Sequence, residues 1–288
     1  NNISKEALEE YLKLNYIPSP HSIYENIYKL KPGNFIHIKY ENILNKDLSL
    51  KKYWCFSEHH NEETKNPLLS ESEYSNLIEE SLKNSVSSQM ISDVPLGAFL
   101  SGGIDSSLIV AMMQDLSDKK IKTFTIGFED SKFDESPYAR SVANHIGTDH
   151  NELIISKKNA FDLLPEINNI YDEPFADASQ IPTFFLSKFA REKVKVSLSG
   201  DGGDELFGGY ERYFDYPEIW DTISEIPYSL RKYIGKSIKF LPKALWDNLN
   251  DISKIILLNE KGINLLGDRF HTVGDRLQQI NSYEEFCI

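Results

Sequence analysis

Between residues 94 and 112 the pattern of apolar and polar positions changes character twice. Val94, Leu96, Ala98, Phe99 and Leu100 form a short apolar run, of the length and composition of a buried parallel strand. Ser101-Gly102-Gly103 follows, a turn that glycine makes without a Cβ clash at positive φ. From Asp105 onward Leu108, Ile109 and Met112 recur at helical spacing. The alternation then repeats. Ile121–Phe128 reads as the next strand and completes a β–α–β unit. Asp134 caps a helix carrying Tyr138, Val142 and Ile146, which Gly147 ends. Glu152–Ile155 is a third strand, and Val194–Leu198 a fourth. Between them one helix carries Phe161, Leu164 and Ile167, and another Ile181, Phe184, Phe185 and Phe189. The pattern predicts an α/β fold, a parallel sheet with helices on both faces.

The flanks have a different texture. Ala7, Leu8, Tyr11 and Leu12 mark an amphipathic helix broken by Ile17-Pro18-Ser19-Pro20. Ile27–Leu30 and Phe35–Tyr40 flank Lys31-Pro32-Gly33-Asn34, and a short β-hairpin is expected there, with His37 on its surface. Residues 58–70 read as a polar linker, after which Ser72 is expected to cap a helix with Tyr74, Leu77, Ile78, Leu82 and Val86 on one face. Residues 211–288 alternate apolar positions (Tyr213, Phe214, Trp220, Ile223, Leu241, Trp246, Leu249, Ile255, Leu257, Leu265) with charged ones, a helical subdomain whose aromatics form core rather than a stacking platform. The expected division is residues 1–66 and residues 67–288.

The chain has 288 residues and a net charge of −13. That size accommodates one large or two smaller cores, and that charge, with no basic stripe, argues against nucleic-acid or membrane-surface partners. Cys55 and Cys287 are far apart and show no metal-ligand spacing, which fits a reducing compartment. No apolar run reaches membrane-spanning length and no signal peptide opens the chain, so a cytoplasmic location is expected. The chain opens at Asn1 without Met and stops abruptly after Phe286-Cys287-Ile288, the expectation being a piece of a longer protein. His59-His60 lacks the ligand framework a metal site needs.

Chemistry concentrates in two glycine-rich loops. A strand, a glycine turn and a helix start around Ser101–Ser106 direct backbone N–H groups to one point, an anion cradle. Neither G-x-x-x-x-G-K-[ST] nor G-x-G-x-x-G is present. In place of a lysine stands Asp105, among the hydroxyls of Ser101, Ser106 and Ser107. A carboxylate beside polyphosphate requires a hard divalent cation such as Mg²⁺ between them; alternatively Asp105 or Ser106 simply N-caps the helix. The second loop, Ser199–Tyr210, has five glycines and follows the fourth strand. Both loops leave strands at their carboxyl ends, the ligand edge of such sheets. There Asp204 can supply a second carboxylate to the cation, Gly200, Gly202 and Gly203 let amides approach phosphate, and Asp201 and Glu205 are candidate acid–base or metal groups.

SGGIDSS resembles the S-G-G-x-D-S pyrophosphate-loop (PP-loop) motif of ATP pyrophosphatases, and with LSGDGGDELFGGY it resembles the synthetase domain of glutamine-dependent asparagine synthetases and related amidotransferases. The stretch YIPSP through KYW is similar to the tail of the glutaminase domain that precedes it in that family, and the resemblance covers about residues 10–215. It implies a PP-loop fold with a hairpin remnant before it and a helical subdomain after it. It implies ATP and Mg²⁺ as cofactors, adenylation of the aspartate side-chain carboxylate, and amide formation with ammonia from glutamine. By the same resemblance Ser101, Gly102, Gly103 and Ser106 hold pyrophosphate, Asp105 and Asp204 bind Mg²⁺, and Phe99, Leu100 and Ile126 end their strands where adenosine is seated. Ser199 and Gly200 lie beside AMP, and Asp201 stands where many members have Glu, next to the reacting carboxylate. Asp172–Gln180 is expected to shape the acceptor pocket. The partners implied are small molecules, a glutaminase domain and a second copy of the chain.

Two departures stand out. The family's glutaminase nucleophile, a cysteine at the mature N-terminus, has no counterpart at Asn1, and Cys55 is no substitute. The family's Asp-Arg-x-Ser-Met-Ala block is not matched by Asp275-Arg276, and no lysine in 232–261 has the expected context. The chain alone is therefore expected not to hydrolyse glutamine and to turn over poorly. The competing readings are an amidotransferase acting on another carboxylate, such as a sugar acid, and a non-catalytic nucleotide-binding module. A base-adenylating sulfur-transfer enzyme would need cysteines near the loop or a basic surface, and the chain has neither.

Overall fold

The computed structural model describes residues 2–39, 49–56, 69–243, 245, 266–283 and 285. They form two compact units, Asn1–Gly202 and Gly203–Ile288. The boundary expected at residues 66/67 lies outside the described residues, as do His59-His60, Cys287 and the apolar positions Trp246 to Leu265.

The first unit is built on a four-stranded parallel sheet of order β5-β4-β3-β6, comprising β3 (Leu96–Phe99), β4 (Lys122–Phe128), β5 (Asp149–Ile155) and β6 (Val196–Leu198). The register pairs Ala98 with Thr123 and with Leu198, and Phe124 with Asn151. Its helices are α2 (Glu71–Gln89), α3 (Ile104–Asp115), α4 (Ser136–Ile146), α5 (Lys157–Leu163), α6 (Ile167–Ile170) and α7 (Gln180–Arg191). Alternate strand residues face opposite layers. Ala98 and Leu100 meet Val86 of α2, Val110 and Met113 of α3, and Ala139 and Ala143 of α4. Phe99 and Phe124 face the other way, where Phe189, Ala190 and Val194 cover them. Phe124 and Phe189 meet edge-on with centroids 5.8 Å apart. Helices therefore cover both faces, as the apolar pattern requires.

Several local expectations change. The cap of α2 is Ser70, not Ser72, because Glu73 stands three residues on and completes a capping box with Ser70. On that helix only Val86 is buried, with Leu82 packed beside it, while Tyr74, Leu77 and Ile78 stay exposed. The helix expected through Phe161, Leu164 and Ile167 is interrupted by a 3₁₀ turn, Leu164–Glu166, around Pro165, whose missing N–H cannot continue the ladder. Gly147 ends α4 at φ 87°, as expected.

The N-terminal segment carries α1 (Lys5–Leu14), capped by Ser4. Asn15 at φ 65° ends it, so the left-handed cap stops the helix before the prolines are reached. Ala7, Ile17 and Ile23 form its core, with Tyr11 alongside. The hairpin expected across Lys31–Asn34 is not formed. Instead β1 (Asn34–Ile36) pairs antiparallel with β2 (Leu50–Lys52). The Gly33 carbonyl accepts from Tyr53 N at 2.9 Å and Trp54 N at 3.3 Å, so the turn packs on that segment. Ile27–Leu30 remains outside any strand, and Tyr40 is outside the described residues. His37 is exposed, as expected.

The second unit is helical, as its pattern predicts: α8 (Gly203–Phe207), α9 (Arg212–Ser224), α10 (Tyr228–Phe240) and α11 (Leu266–Gln279). Helices α10 and α11 meet at Gly235 and Gly274, where a Cβ on Gly235 would stand 2.5 Å from the Gly274 carbonyl oxygen. Arg231 is buried, reaches the Ile280 carbonyl at 3.3 Å and lies over the rings of Trp220 and Tyr228. Tyr213 and Phe214 are exposed, so these two aromatics are not core. No helix among the described residues is long and apolar enough to cross a membrane.

Candidate functional site

Strand β3 delivers the first glycine loop under tight constraint. Leu100 lies one residue past the strand, yet its N–H donates to the Phe124 carbonyl at 3.0 Å. Its carbonyl accepts from the Thr125 hydroxyl, and its side chain lies in the core. The chain is released only at Ser101. Gly102 has φ +86°, and a Cβ there would stand 2.6 Å from Ala139 N and 2.8 Å from Tyr138 C. The first turn of α4 thus backs the loop against its backbone. Gly103 is the N-cap of α3 and supplies no side-chain cap. This overturns the reading of Asp105 or Ser106 as the cap: Asp105 lies inside the first turn. A helix start without a side-chain cap leaves its amides for another acceptor.

The serines tie the loop to itself. Ser101 N donates to Ser106 Oγ at 3.2 Å, Gly103 N donates to Ser101 Oγ at 3.2 Å, and the two hydroxyls are 2.9 Å apart. Ser107 Oγ is enclosed and has no hydrogen-bond partner among the described residues. A buried hydroxyl left unmatched is costly, and Ser107 stands in the first turn of α3.

The second loop arrives beside the first because β6 pairs with β3. A Cβ on Gly200 would stand 2.6 Å from Ser106 N and 2.8 Å from Asp105 C. The backbone at Gly200 therefore lies directly on the head of α3. Ser199 Oγ donates to Asp201 Oδ2 at 3.0 Å, and Asp201 is exposed. Ser199, Gly200 and Asp201 thus gather with Ser101–Ser106 in the first unit. Phe99 is half-buried at the end of β3, whereas Ile126 lies two residues short of the end of β4 at Phe128, a correction to its expected place.

Asp204 and Glu205 belong to the second unit, in α8. They differ sharply in their partners. Glu205 Oε1 accepts from the Tyr210 hydroxyl at 2.7 Å, and this bond holds its carboxyl below the usual range. Arg212 lies 4.3 Å from the Tyr210 ring centroid. Neither Asp204 nor Asp105 has a hydrogen bond or ion pair from its carboxylate among the described residues. Among the described residues, Glu205 is engaged in a hydrogen bond and the two aspartates are not.

Asp172–Gln180 is a third element named from the sequence, but the contacts that anchor it are not legible there. Loop 172–180 immediately precedes α7, which runs back along the sheet and so begins at the carboxyl edge of the strands. Glu173 is gripped by the Lys29 ammonium and accepts from Ile23 N at 3.3 Å, and Ala176 N donates to the Asn15 carbonyl at 2.7 Å. Only the acidic pair in Asp172-Glu173-Pro174 could have signalled this, and nothing in its local pattern identifies Lys29 as partner.

A protein-family model described as asparagine synthase matches residues 77–284, well over half of the chain. The chain belongs to the asparagine synthase family. Among curated relatives, a putative glutamine-hydrolyzing asparagine synthetase of Methanocaldococcus jannaschii is 38% identical over 260 residues, covering 90% of this chain and 47% of its own length. Asparagine synthetase 1 of Bacillus subtilis, also described as glutamine-hydrolyzing, is 34% identical over 270 residues, covering 93% of this chain and 39% of its own. The chain thus spans less than half the length of these two relatives. Among solved structures, an NH3-dependent NAD synthetase from Campylobacter jejuni aligns with 72% of this chain and 97% of its own at 15% identity and a TM-score of 0.33, a likeness too slight to carry an argument. The match to the asparagine synthase family includes both glycine loops and the 172–180 segment.

Proposed function

We propose that this chain carries the synthetase chemistry of an ATP-dependent, amide-forming ligase, with the side-chain carboxylate of aspartate as acceptor. A carboxylate oxygen attacks the α-phosphorus of ATP, the bond from that phosphorus to the bridging oxygen breaks, and pyrophosphate leaves. Ammonia then attacks the acyl carbon of the adenylate, AMP departs with the electron pair of the C–O bond, and the nitrogen loses a proton to give the amide. The names of the relatives support glutamine as the ammonia source, supplied by a glutaminase domain.

The observation that supports this reading best is the seating of Gly200 on Asp105 and Ser106, which makes one cradle of two loops. In the proposal, the uncapped amides of α3 and the hydroxyls of Ser101 and Ser106 hold pyrophosphate. Phe99, Leu100 and Ile126 flank adenosine, and Ser199 and Gly200 lie along AMP. Asp201 stands by the acceptor carboxylate, with Ser199 orienting it. Asp105 and Asp204 are the carboxylates for Mg²⁺. Their chemistry fits that ion: both lack a hydrogen-bond or ion-pair partner among the described residues, and no lysine stands in the first loop. No cluster of three or more His, Cys, Asp or Glu side chains suited to a metal exists among the described residues. Mg²⁺ in nucleotide sites needs fewer, since phosphate oxygens and water complete its shell. When bound it neutralises charge growing on the departing pyrophosphate.

ATP–pyrophosphate exchange with and without L-aspartate tests the proposal. Exchange that requires aspartate is the expected result. Mg-ATP binding without aspartate-dependent exchange would redirect the search to other carboxylates, such as sugar acids. Mg-ATP binding that survives unchanged in Asp105→Asn would remove the metal role of that residue and favour a plain nucleotide-binding module.

A further inference from the structure

The second loop ends in a glycine pair whose members serve different ends. Gly208 has φ +68°, a conformation that favours glycine, and it closes α8. Gly209 is outside the left-handed region, so freedom of φ does not explain it. Space does. A Cβ on Gly209 would stand 1.9 Å from Asp204 Oδ1, 2.9 Å from Asp204 Cγ and 3.1 Å from Asp204 Cα. In addition Gly209 N donates to the Asp204 carbonyl at 2.9 Å. The turn is thus folded onto Asp204 through both main chain and side chain.

The next residue fastens the turn from the other side. Tyr210 donates to Glu205 Oε1 at 2.7 Å, and Arg212 covers the Tyr210 ring at 4.3 Å. Adjacent carboxylates are thereby assigned opposite fates. Glu205 is bonded and held aside, while Asp204 sets its carboxylate against the bare backbone of Gly209, with no hydrogen bond or ion pair to it among the described residues.

We infer that Gly209 is a positioning residue for Asp204: its missing side chain defines the place of the Asp204 carboxylate, and the Tyr210–Glu205 bond holds the turn that does so. This rests on the proposed role of Asp204 toward the cation, and the test separates the two claims. Mn²⁺ is titrated into the full 288-residue chain with ATP present, and water-proton relaxation reads the bound ion directly, without turnover. Asp204→Asn is expected to weaken Mn²⁺ binding. Gly209→Ala is expected to weaken it by roughly ten- to a hundred-fold, as loss of residues that orient metal ligands does, while metal-free ATP binding stays at the parent value. Tyr210→Phe, which removes one hydroxyl and adds no atom, is expected to weaken it by a smaller factor. Parent-like Mn²⁺ affinity in Gly209→Ala, with the loss present in Asp204→Asn, overturns the positioning role alone. Parent-like affinity in Asp204→Asn overturns the ligand assignment and the positioning role with it. If Gly209→Ala does not fold, by circular dichroism, Tyr210→Phe decides, and unchanged Mn²⁺ affinity there overturns the inference.

Discussion

Gly200→Ala is the sharpest perturbation of the proposed cradle. The added methyl would meet Ser106 N at 2.6 Å and Asp105 C at 2.8 Å, whereas such contacts become ordinary at 3.4 Å. Both obstacles are backbone atoms in the first turn of α3, so no side-chain rotation relieves them. One loop must withdraw from the other by about 0.8 Å, the difference between 3.4 Å and 2.6 Å. Overpacking of this kind costs about 1–3 kcal/mol, which lowers the melting temperature by about 2–4 °C for each kcal/mol in a unit of this size. The functional cost is larger. A displacement near 1 Å in a reacting constellation is worth on the order of a hundred-fold in rate, so ATP–pyrophosphate exchange should fall by about that factor and Mg-ATP affinity should weaken. Gly97→Ala supplies the control. Its methyl would meet Lys122 O at 2.8 Å, Phe124 Cε2 at 2.9 Å and Val194 Cγ1 at 3.2 Å, a comparable crowding but within the sheet. It should melt lower by a similar amount and bind Mg-ATP as the parent does. Parent-like Mg-ATP affinity in Gly200→Ala, or equal losses in both variants, would refute the argument that the two loops form one cradle.

Further outcomes can be checked independently. His150 is half-buried between Thr123 Oγ1 at 2.8 Å and Glu152 Oε1 at 3.2 Å, and burial pushes its pKa below 6.5 in spite of the Glu152 carboxylate. The unfolded chain then binds the proton more readily than the folded one, so stability is full above that value and is lost as pH falls through it. Melting temperature should decline from about pH 7.5 to 5.5, and His150→Asn should flatten the decline; an unchanged slope would show that other groups control it. Glu173→Ala removes the partner of Lys29 and of Ile23 N. A loss of about 1.5 kcal/mol is expected, at the low end for charged hydrogen bonds because the pair is partly exposed. Hydrogen exchange should quicken over residues 17–29 and 172–176 and stay at parent rates in β3 and β4; uniform quickening would contradict a local clasp.

What could be read in advance follows from the range over which each feature is encoded. Strands β3 to β6 and the helices between them were legible because their apolar period reports local burial, and the glycine turn after Leu100 because Gly102 needs a φ that other residues resist. Membership of the asparagine synthase family was legible in SGGIDSS and SGDGGDELFGGY for the same reason, since each motif is a contiguous stretch. Local pattern failed where partners are distant or competing. The Lys31–Asn34 turn has hairpin chemistry, yet β1 pairs with β2 because Gly33 is claimed by Tyr53 and Trp54. Ser72 has cap chemistry, yet Ser70 wins because Glu73 reciprocates. That Asp105 is no cap, that Gly200 lies on it, that Glu173 is held by Lys29 and that Gly209 bears the Asp204 carboxylate were decided only in three dimensions. A glycine in a sequence records that a side chain is absent, and only the folded chain shows which neighbour occupies the space.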